Sequence, residues 1–200
     1  RSLTAATTQG TKAIGLMAIR ILGGKYRSRL LRTPPGHDTR PTRGMVREAV
    51  FNMLQGQMRH ASALDVFAGS GSMGFEALSR GAESVVFCDR RQEAIRVIRD
   101  NARILGCEQQ VCLLKGAWQT SLRILGKEEI KFDLIFLDPP YKMDVSEVLG
   151  SVAKEGLLHE EGVVVLEQGT HDDDWMPVGF KIFKQRRYGT TRIYLLTPGS

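Results

Sequence analysis

Three cysteines in 200 residues, Cys88, Cys107 and Cys112, cannot pair fully, and none stands in a C-x-x-C spacing. No disulfide framework or zinc site is implied, which fits a reducing cytoplasm. The four histidines, His37, His60, His159 and His171, are scattered without ligand spacing, so no metal is expected. No apolar run approaches the roughly 20 residues of a membrane span, so a soluble chain with no membrane partner is expected. Internal repeats and low-complexity tracts are missing too. Residues 1–16 lack periodicity and any signal-like apolar core. They are set aside as a tag, leader or disordered arm, with Met17 as the native start.

Acidic side chains are nearly absent from the first part of the chain. Through Arg47, ten Lys/Arg face Asp38 alone, and the remainder holds 18 basic against 21 acidic residues. The net charge of +6 is therefore an N-terminal feature. Clustered cations of this kind are the footprint of a phosphate-backbone partner. Within the cluster, Ala18 to Pro34 reads as a basic β-hairpin broken at Gly23-Gly24, with Lys25, Arg27 and Arg29 at or near its turn. After Pro34-Pro35-Gly36 and a loop to Pro41, Thr42 can cap a helix with Val46, Ala49, Val50 and Met53 on its apolar face. Gly56 supplies its stop. That helix carries Arg40, Arg43 and Arg47 toward a ligand.

From Ala63 onward, strands and helices alternate, which predicts an α/β fold with a parallel sheet covered on both faces. The strands are read as Ala63–Phe67, Ser84–Cys88, Val111–Lys115, Phe132–Leu137 and Gly162–Glu167. Helices begin near Ser72, Arg91, Trp118 and Val145. Phe180–Arg187 and Thr191–Leu196 flank a turn without a helix between them, so they form a C-terminal antiparallel hairpin. Asp172-Asp173-Asp174 before it reads as a loop, since consecutive acids converge poorly on a cation.

Two junctions carry chemistry. The first, Asp65-Val66-Phe67-Ala68-Gly69-Ser70-Gly71-Ser72-Met73-Gly74, is a strand end, a tight glycine turn and a helix start. Glycines let the backbone approach a ligand closely. Asp89, at the end of the next strand, can accept ribose hydroxyls. The pattern also satisfies the dinucleotide fingerprint, so a nicotinamide cofactor stays open on the turn alone. Asp65 favours S-adenosylmethionine, because a carboxylate there can meet the cationic amino-acid end of that cofactor.

At the second junction, Phe132–Leu137 empties into Asp138-Pro139-Pro140-Tyr141, just beyond a strand's C-terminal end, where open α/β sheets bind ligands. The prolines fix the backbone and aim its carbonyls outward. Rigid acceptors beside an aromatic ring suit gripping a planar base by its amino group.

With these pieces in place the chain resembles the bacterial-type 16S ribosomal RNA guanine-N2 methyltransferases from about Arg20 to Leu196. The likeness lies in Arg20 through Gly24, Thr39-Arg40-Pro41-Thr42, Val46 through Asn52, Asp65 through Gly74 and Asp138 through Tyr141. It implies a Rossmann-like class I fold with a mostly parallel seven-stranded sheet, a C-terminal antiparallel hairpin and a small N-terminal RNA-contacting hairpin. The domains implied are 17–41 for RNA contact and 42–200 for methyl transfer. Asp138, Pro139, Pro140 and Tyr141 are implied as the catalytic set. S-adenosyl-L-methionine would meet Asp65, Phe67, Ala68, Gly69, Ser70, Gly71, Gly74, Asp89, Ala117, Arg40 and Thr42. RNA would meet Arg20, Lys25, Arg27, Arg29, Arg43 and Arg47. The implied partner is 16S rRNA in a small-subunit assembly intermediate, met by a monomer in the cytoplasm. Gly116-Ala117-Trp118 departs from relatives that carry a polar residue for adenine there. Two alternatives are an adenine-N6 methyltransferase on DNA or RNA and a non-catalytic ribosome-assembly RNA binder.

Overall fold

A computed structural model describes residues 18–35, 41–140, 142–169 and 177–199, apart from the side chains of 41–43. The leader, Arg40, Tyr141, the side chains of Thr42 and Arg43, and the aspartate triplet therefore lie outside the described residues.

The sheet grows from its middle. β3 (Ser62–Asp65) pairs in parallel with β4 (Ser84–Asp89) on one side and β6 (Phe132–Leu137) on the other. β5 (Val111–Lys115) extends the first side, and β7 (Leu158–Gly169) the second. β9 (Thr191–Pro198) then adds antiparallel to β7, with β8 (Phe180–Tyr188) outermost. The seven-stranded order β5-β4-β3-β6-β7-β9-β8 is thus a Rossmann-like sheet closed by an antiparallel hairpin.

β6 shows why the fold needs two layers. Its residues alternate between two buried clusters: Leu134 and Phe136 point to one face, Phe132, Ile135 and Leu137 to the other. Helices α1 (Pro41–Met53), α2 (Ser72–Ser79) and α3 (Gln92–Leu105) cover the first face. Helices α4 (Trp118–Lys127) and α5 (Val145–Lys154) cover the second. The lone acid within β6, Asp133, is satisfied by Ser62, whose N–H and hydroxyl donate to it at 2.8 and 2.9 Å. That pair also pins the register of β3 against β6.

The N-terminal hairpin, β1 (Ala18–Arg20) with β2 (Leu30–Arg32), is antiparallel as expected. Its apolar side chains Ile21, Tyr26 and Leu31 join the core on the α1–α3 face. Several strand limits differ by one to four residues from those read in the sequence, and two have a plain physical reason. β3 stops at Asp65 because Val66 and Phe67 already turn toward Gly69 and Gly71, both at positive φ. β7 starts four residues early, at Leu158, because its first turn of chain is exposed and polar (His159, Glu160, Glu161) and lacks an apolar signal.

Close packing behind the glycine turn yields a stability prediction. A Cβ built on Gly74 would sit within the buried ring of Phe87 and 2.8 Å from Val85 Cγ1. Gly74→Ala should cost about 1–3 kcal/mol by overpacking, read as a lower urea midpoint at unchanged m-value. A variant as stable as the parent would show that the α2–β4 contact is looser than described.

Candidate active site

Strand order reverses between β3 and β6, so the loops leaving their C-terminal ends diverge and open a crevice. The glycine turn is held there by backbone bonds: Val66 N–H donates to Phe136 O at 3.1 Å and Ala68 N–H to Cys88 O at 3.0 Å. The resulting cleft, about 1100 Å3 with the open solvent at its mouth, is lined by Asp65, Phe67, Ala68, Met73, Phe136 and Asp138 among others. Both chemistry-bearing junctions therefore meet in one place.

Carboxylates dominate the electrostatics. Asp65 is only 5% exposed and accepts a backbone bond from Gly74 N–H at 3.3 Å. Burial pushes its pKa up to about 7, against the relief from Gly74 and with help from the nearby charges of Asp138 and Asp89. Asp89, also buried, accepts Gly69 N–H at 2.9 Å on one oxygen and Arg91 N–H at 2.8 Å on the other. It thereby ties the glycine turn to the end of β4. Asp138 is exposed at the mouth, with Pro139 half-buried and Pro140 exposed beside it. Met143 N–H caps Pro140 O at 2.8 Å, which fixes the path of that loop.

The remaining turn residues are arranged to present backbone. Ser70 is buried, its carbonyl accepts from Asn101 Nδ2 at 3.2 Å, and its hydroxyl has no hydrogen-bond partner among the described residues. Gly71 holds φ at 78°, a left-handed conformation that favours glycine, and precedes the first helical residue of α2. Ala117 is exposed at the N-cap of α4, next to Gly116, whose N–H donates to Asp89 O at 3.1 Å. Ala117 thus sits at the same end of the sheet as Asp89.

The expected RNA-contacting cations divide. Arg20, Lys25, Arg27 and Arg29 are exposed on the hairpin, and Arg20 lines the cleft mouth. Arg29 is steadied by donating to Ile104 O at 2.7 Å. Arg47 also lines the cleft, but from a buried position. Its side chain is 7% exposed, donates to Arg20 O at 2.7 Å and lies 3.6 Å from Glu76. An arginine in an apolar helix face is buried here because a buried acid faces it.

Glu76 was not singled out by sequence reasoning, yet it joins three elements. Its fully buried carboxylate accepts Leu22 N–H and Gly23 N–H, both at 2.9 Å, and pairs with Arg80 at 2.8 Å and with Arg47. An acid within a short helix whose neighbours Phe75, Ala77 and Leu78 are all apolar and buried was the available signal. Glu167, which also lines the cleft, was missed as well. It follows the apolar run Val163–Leu166 much as Asp138 follows Phe132–Leu137. Among the described residues, no three His, Cys, Asp or Glu side chains are placed to hold a metal ion, and no helix is long and apolar enough to cross a membrane.

Comparison with known proteins matches residues 19–197 to the family described as conserved hypothetical protein 95. Ribosomal RNA small subunit methyltransferase D of Haemophilus influenzae is 30% identical over 174 residues, covering 86% of this chain and 89% of that protein. YlbH of Bacillus subtilis, named as a candidate rRNA methyltransferase, is 34% identical over 88% of this chain and 96% of its own length. The solved structure of yhhF from Escherichia coli superimposes with a TM-score of 0.81 at 27% identity, over 92% of this chain and 99% of that one.

Asp65 makes stability pH-dependent in a stated direction. Its folded pKa of about 7 lies above the ordinary 3.8, so the native state holds the proton more tightly than the unfolded chain. Its contribution is full below pH 4 and is lost as pH rises through 7, on the order of 1.4 kcal/mol per pH unit within that window. Urea midpoints from pH 5 to 8 should fall for the parent and flatten for Asp65→Asn. Parallel profiles would remove Asp65 as the cause.

Proposed function

The chain belongs to the conserved hypothetical protein 95 family, and from that premise we propose that it is an S-adenosylmethionine-dependent methyltransferase acting on small-subunit ribosomal RNA at the exocyclic N2 amine of a guanine. One observation carries the reading: Asp65 and Asp138, from adjacent strands, line one cleft and feel each other's charge. A counter-charge for a cationic ligand and a grip for an amine thus stand side by side.

The residues present fit the cofactor. Asp65 is a buried acid whose ionisation awaits a nearby cation, and the amino group of the cofactor's methionine end is one. Asp89 retains lone pairs for ribose hydroxyls beyond the two backbone bonds it accepts. Phe67, Ala68 and the backbone from Gly69 through Gly71 to Gly74 shape the floor between them. Ala117 offers its main chain to adenine, and Gly116 carries no side chain to crowd it. Arg40 and Thr42 are assigned to this set by the resemblance. When bound, the cofactor supplies an electrophilic methyl on a sulfonium.

The protein's own residues act on the nucleophile. The N2 lone pair of guanine is delocalised into the ring, so the amine is poorly reactive. Hydrogen bonds from its two N–H groups to the Asp138 carboxylate and the Pro139 carbonyl pull the nitrogen toward a tetrahedral shape. Pro140 holds that carbonyl in place, and Tyr141 stacks on the base, which must leave any helix to be reached. Holding the reactants aligned accounts for several kcal/mol of barrier, on the order of 7–11 at best. Asp138 takes the departing proton once the methyl has moved.

The hairpin, with its exposed Arg20, Lys25, Arg27 and Arg29, supports RNA binding beside the cleft, and Arg43 is assigned with them. In this arrangement 17–41 is the RNA-contacting appendage and 42–200 the methyltransferase domain. The resemblance supports a monomer in the cytoplasm, working on a small-subunit particle still in assembly.

Methyl transfer from labelled S-adenosylmethionine to undermethylated 30S particles should yield N2-methylguanosine. Asp138→Ala should lower the rate about 100-fold or more, with cofactor affinity within about twofold. Label confined to DNA adenine, or an unaffected Asp138→Ala enzyme, would contradict the reading. Reversing Lys25 and Arg27 to glutamate should raise the KM for RNA and flatten its salt dependence, since each phosphate contact contributes to the slope. An unchanged salt slope would place RNA on another surface.

A further inference from the structure

Glu167 stands one strand beyond Asp138 and belongs to the same face. The β6–β7 ladder pairs Phe136 with Val165 and Leu137 with Leu166, so Asp138, the first residue after β6, and Glu167 on β7 come next along the chain. Residues two apart on a strand share a face. Phe136 and Val165 both lie in the cluster on the α1–α3 side, and Asp138 and Glu167 both line the cleft opening there. Asp65, paired with Phe136 across β3–β6, is on that face as well. Three carboxylates therefore step outward across β3, β6 and β7, and neighbouring strands are about 4.8 Å apart.

The first two steps have work: Asp65 with the cofactor's cation, Asp138 with the exocyclic amine. The third points past the amine to the adjoining edge of the ring. Guanine carries a ring N–H at N1, next to its N2 amine, whereas adenine presents a lone pair at N1, next to its amine. A carboxylate ionised at neutral pH only accepts hydrogen bonds. It would welcome the first base and repel the second.

We infer that Glu167 accepts the N1–H of the target guanine and is the residue that selects guanine over bases with an N1 lone pair. This rests on the guanine-N2 reading of the site and adds to it a separate residue with a separate role. Asp138 and Pro139 occupy both hydrogens of the amine, so the N1–H needs an acceptor of its own. Half-buried at the end of β7, Glu167 is held by an ordered strand rather than a free loop.

The test uses 2-aminopurine, which keeps the C2 amine but has a lone pair at N1. Small-subunit particles are reconstituted from RNA with guanine or 2-aminopurine at the methylated position, and kcat/KM is measured for each. The ratio of the two in the parent enzyme is divided by that in Glu167→Gln, so the intrinsic reactivity of the bases cancels. Glutamine can donate as well as accept, so the preference for guanine should shrink about 10- to 100-fold, as expected for a hydrogen bond to a charged group. Glu167→Asp, still acceptor-only, should retain a preference for guanine. Cofactor affinity reports folding of every variant. If Glu167→Gln loses it, Glu167→Ala carries the same comparison, with the same loss expected. An unchanged ratio, with N2-methylguanosine still formed, overturns the role of Glu167 and leaves the site reading intact. A parent enzyme that forms no N2-methylguanosine overturns both.

Discussion

The arrangement depends on a carboxylate that is costly where it stands. Asp65 is sealed at the end of β3 between two other acids, and among the described residues its relief is a single long bond from Gly74 N–H. Burying a charge without a partner is unfavourable by several kcal/mol, so such a group stays protonated or acquires a cation. A fold could avoid this with an asparagine or an apolar residue. Retaining the acid makes the cleft electrostatically incomplete by itself and complementary to a ligand with a positive end. Neighbouring strands then decide what else can meet that ligand, since the register of Phe136 against Asp65 brings the end of β6, and Asp138 after it, to the same cleft.

A second buried acid does the opposite work. Glu76 is matched by Arg80, Arg47 and two backbone N–H groups, and it unites the hairpin, α1 and α2. Through Arg47 the tether reaches the carbonyl of Arg20, at the cleft mouth. The exposed cations of the hairpin are thereby set at a fixed place relative to the reacting groups. Buried ion pairs contribute little net stability, but breaking one is expensive, so this junction acts chiefly as a locator.

Much of this could be read before the coordinates. Apolar runs ending in acids located β3, β4 and β6, and the glycine turn located one wall of the cleft. Strand-end rules then placed Asp65, Asp89 and Asp138 together. What stayed hidden was three-dimensional partnership. Arg47 looks like one more cation of a basic segment, because nothing local reveals that Glu76, 29 positions later, turns inward to meet it. The early start of β7 escaped because an exposed polar stretch at a strand's entry carries no hydrophobic period. Glu167 obeyed the same pattern as Asp138, but without prolines and an aromatic after it the signal was not distinctive.

With a pKa of about 7, Asp65 is only half ionised at neutrality, and the arrival of a cationic amino group would complete its ionisation. Its carboxyl carbon can be followed by NMR as pH is varied, in the free protein and with S-adenosylhomocysteine, which shares the amino-acid end. The midpoint should lie near 7 in the free protein and fall well below 6 in the complex, a shift on the order of one unit or more. An ordinary aspartate value in the free protein, or a midpoint that ligand binding leaves unmoved, would contradict it.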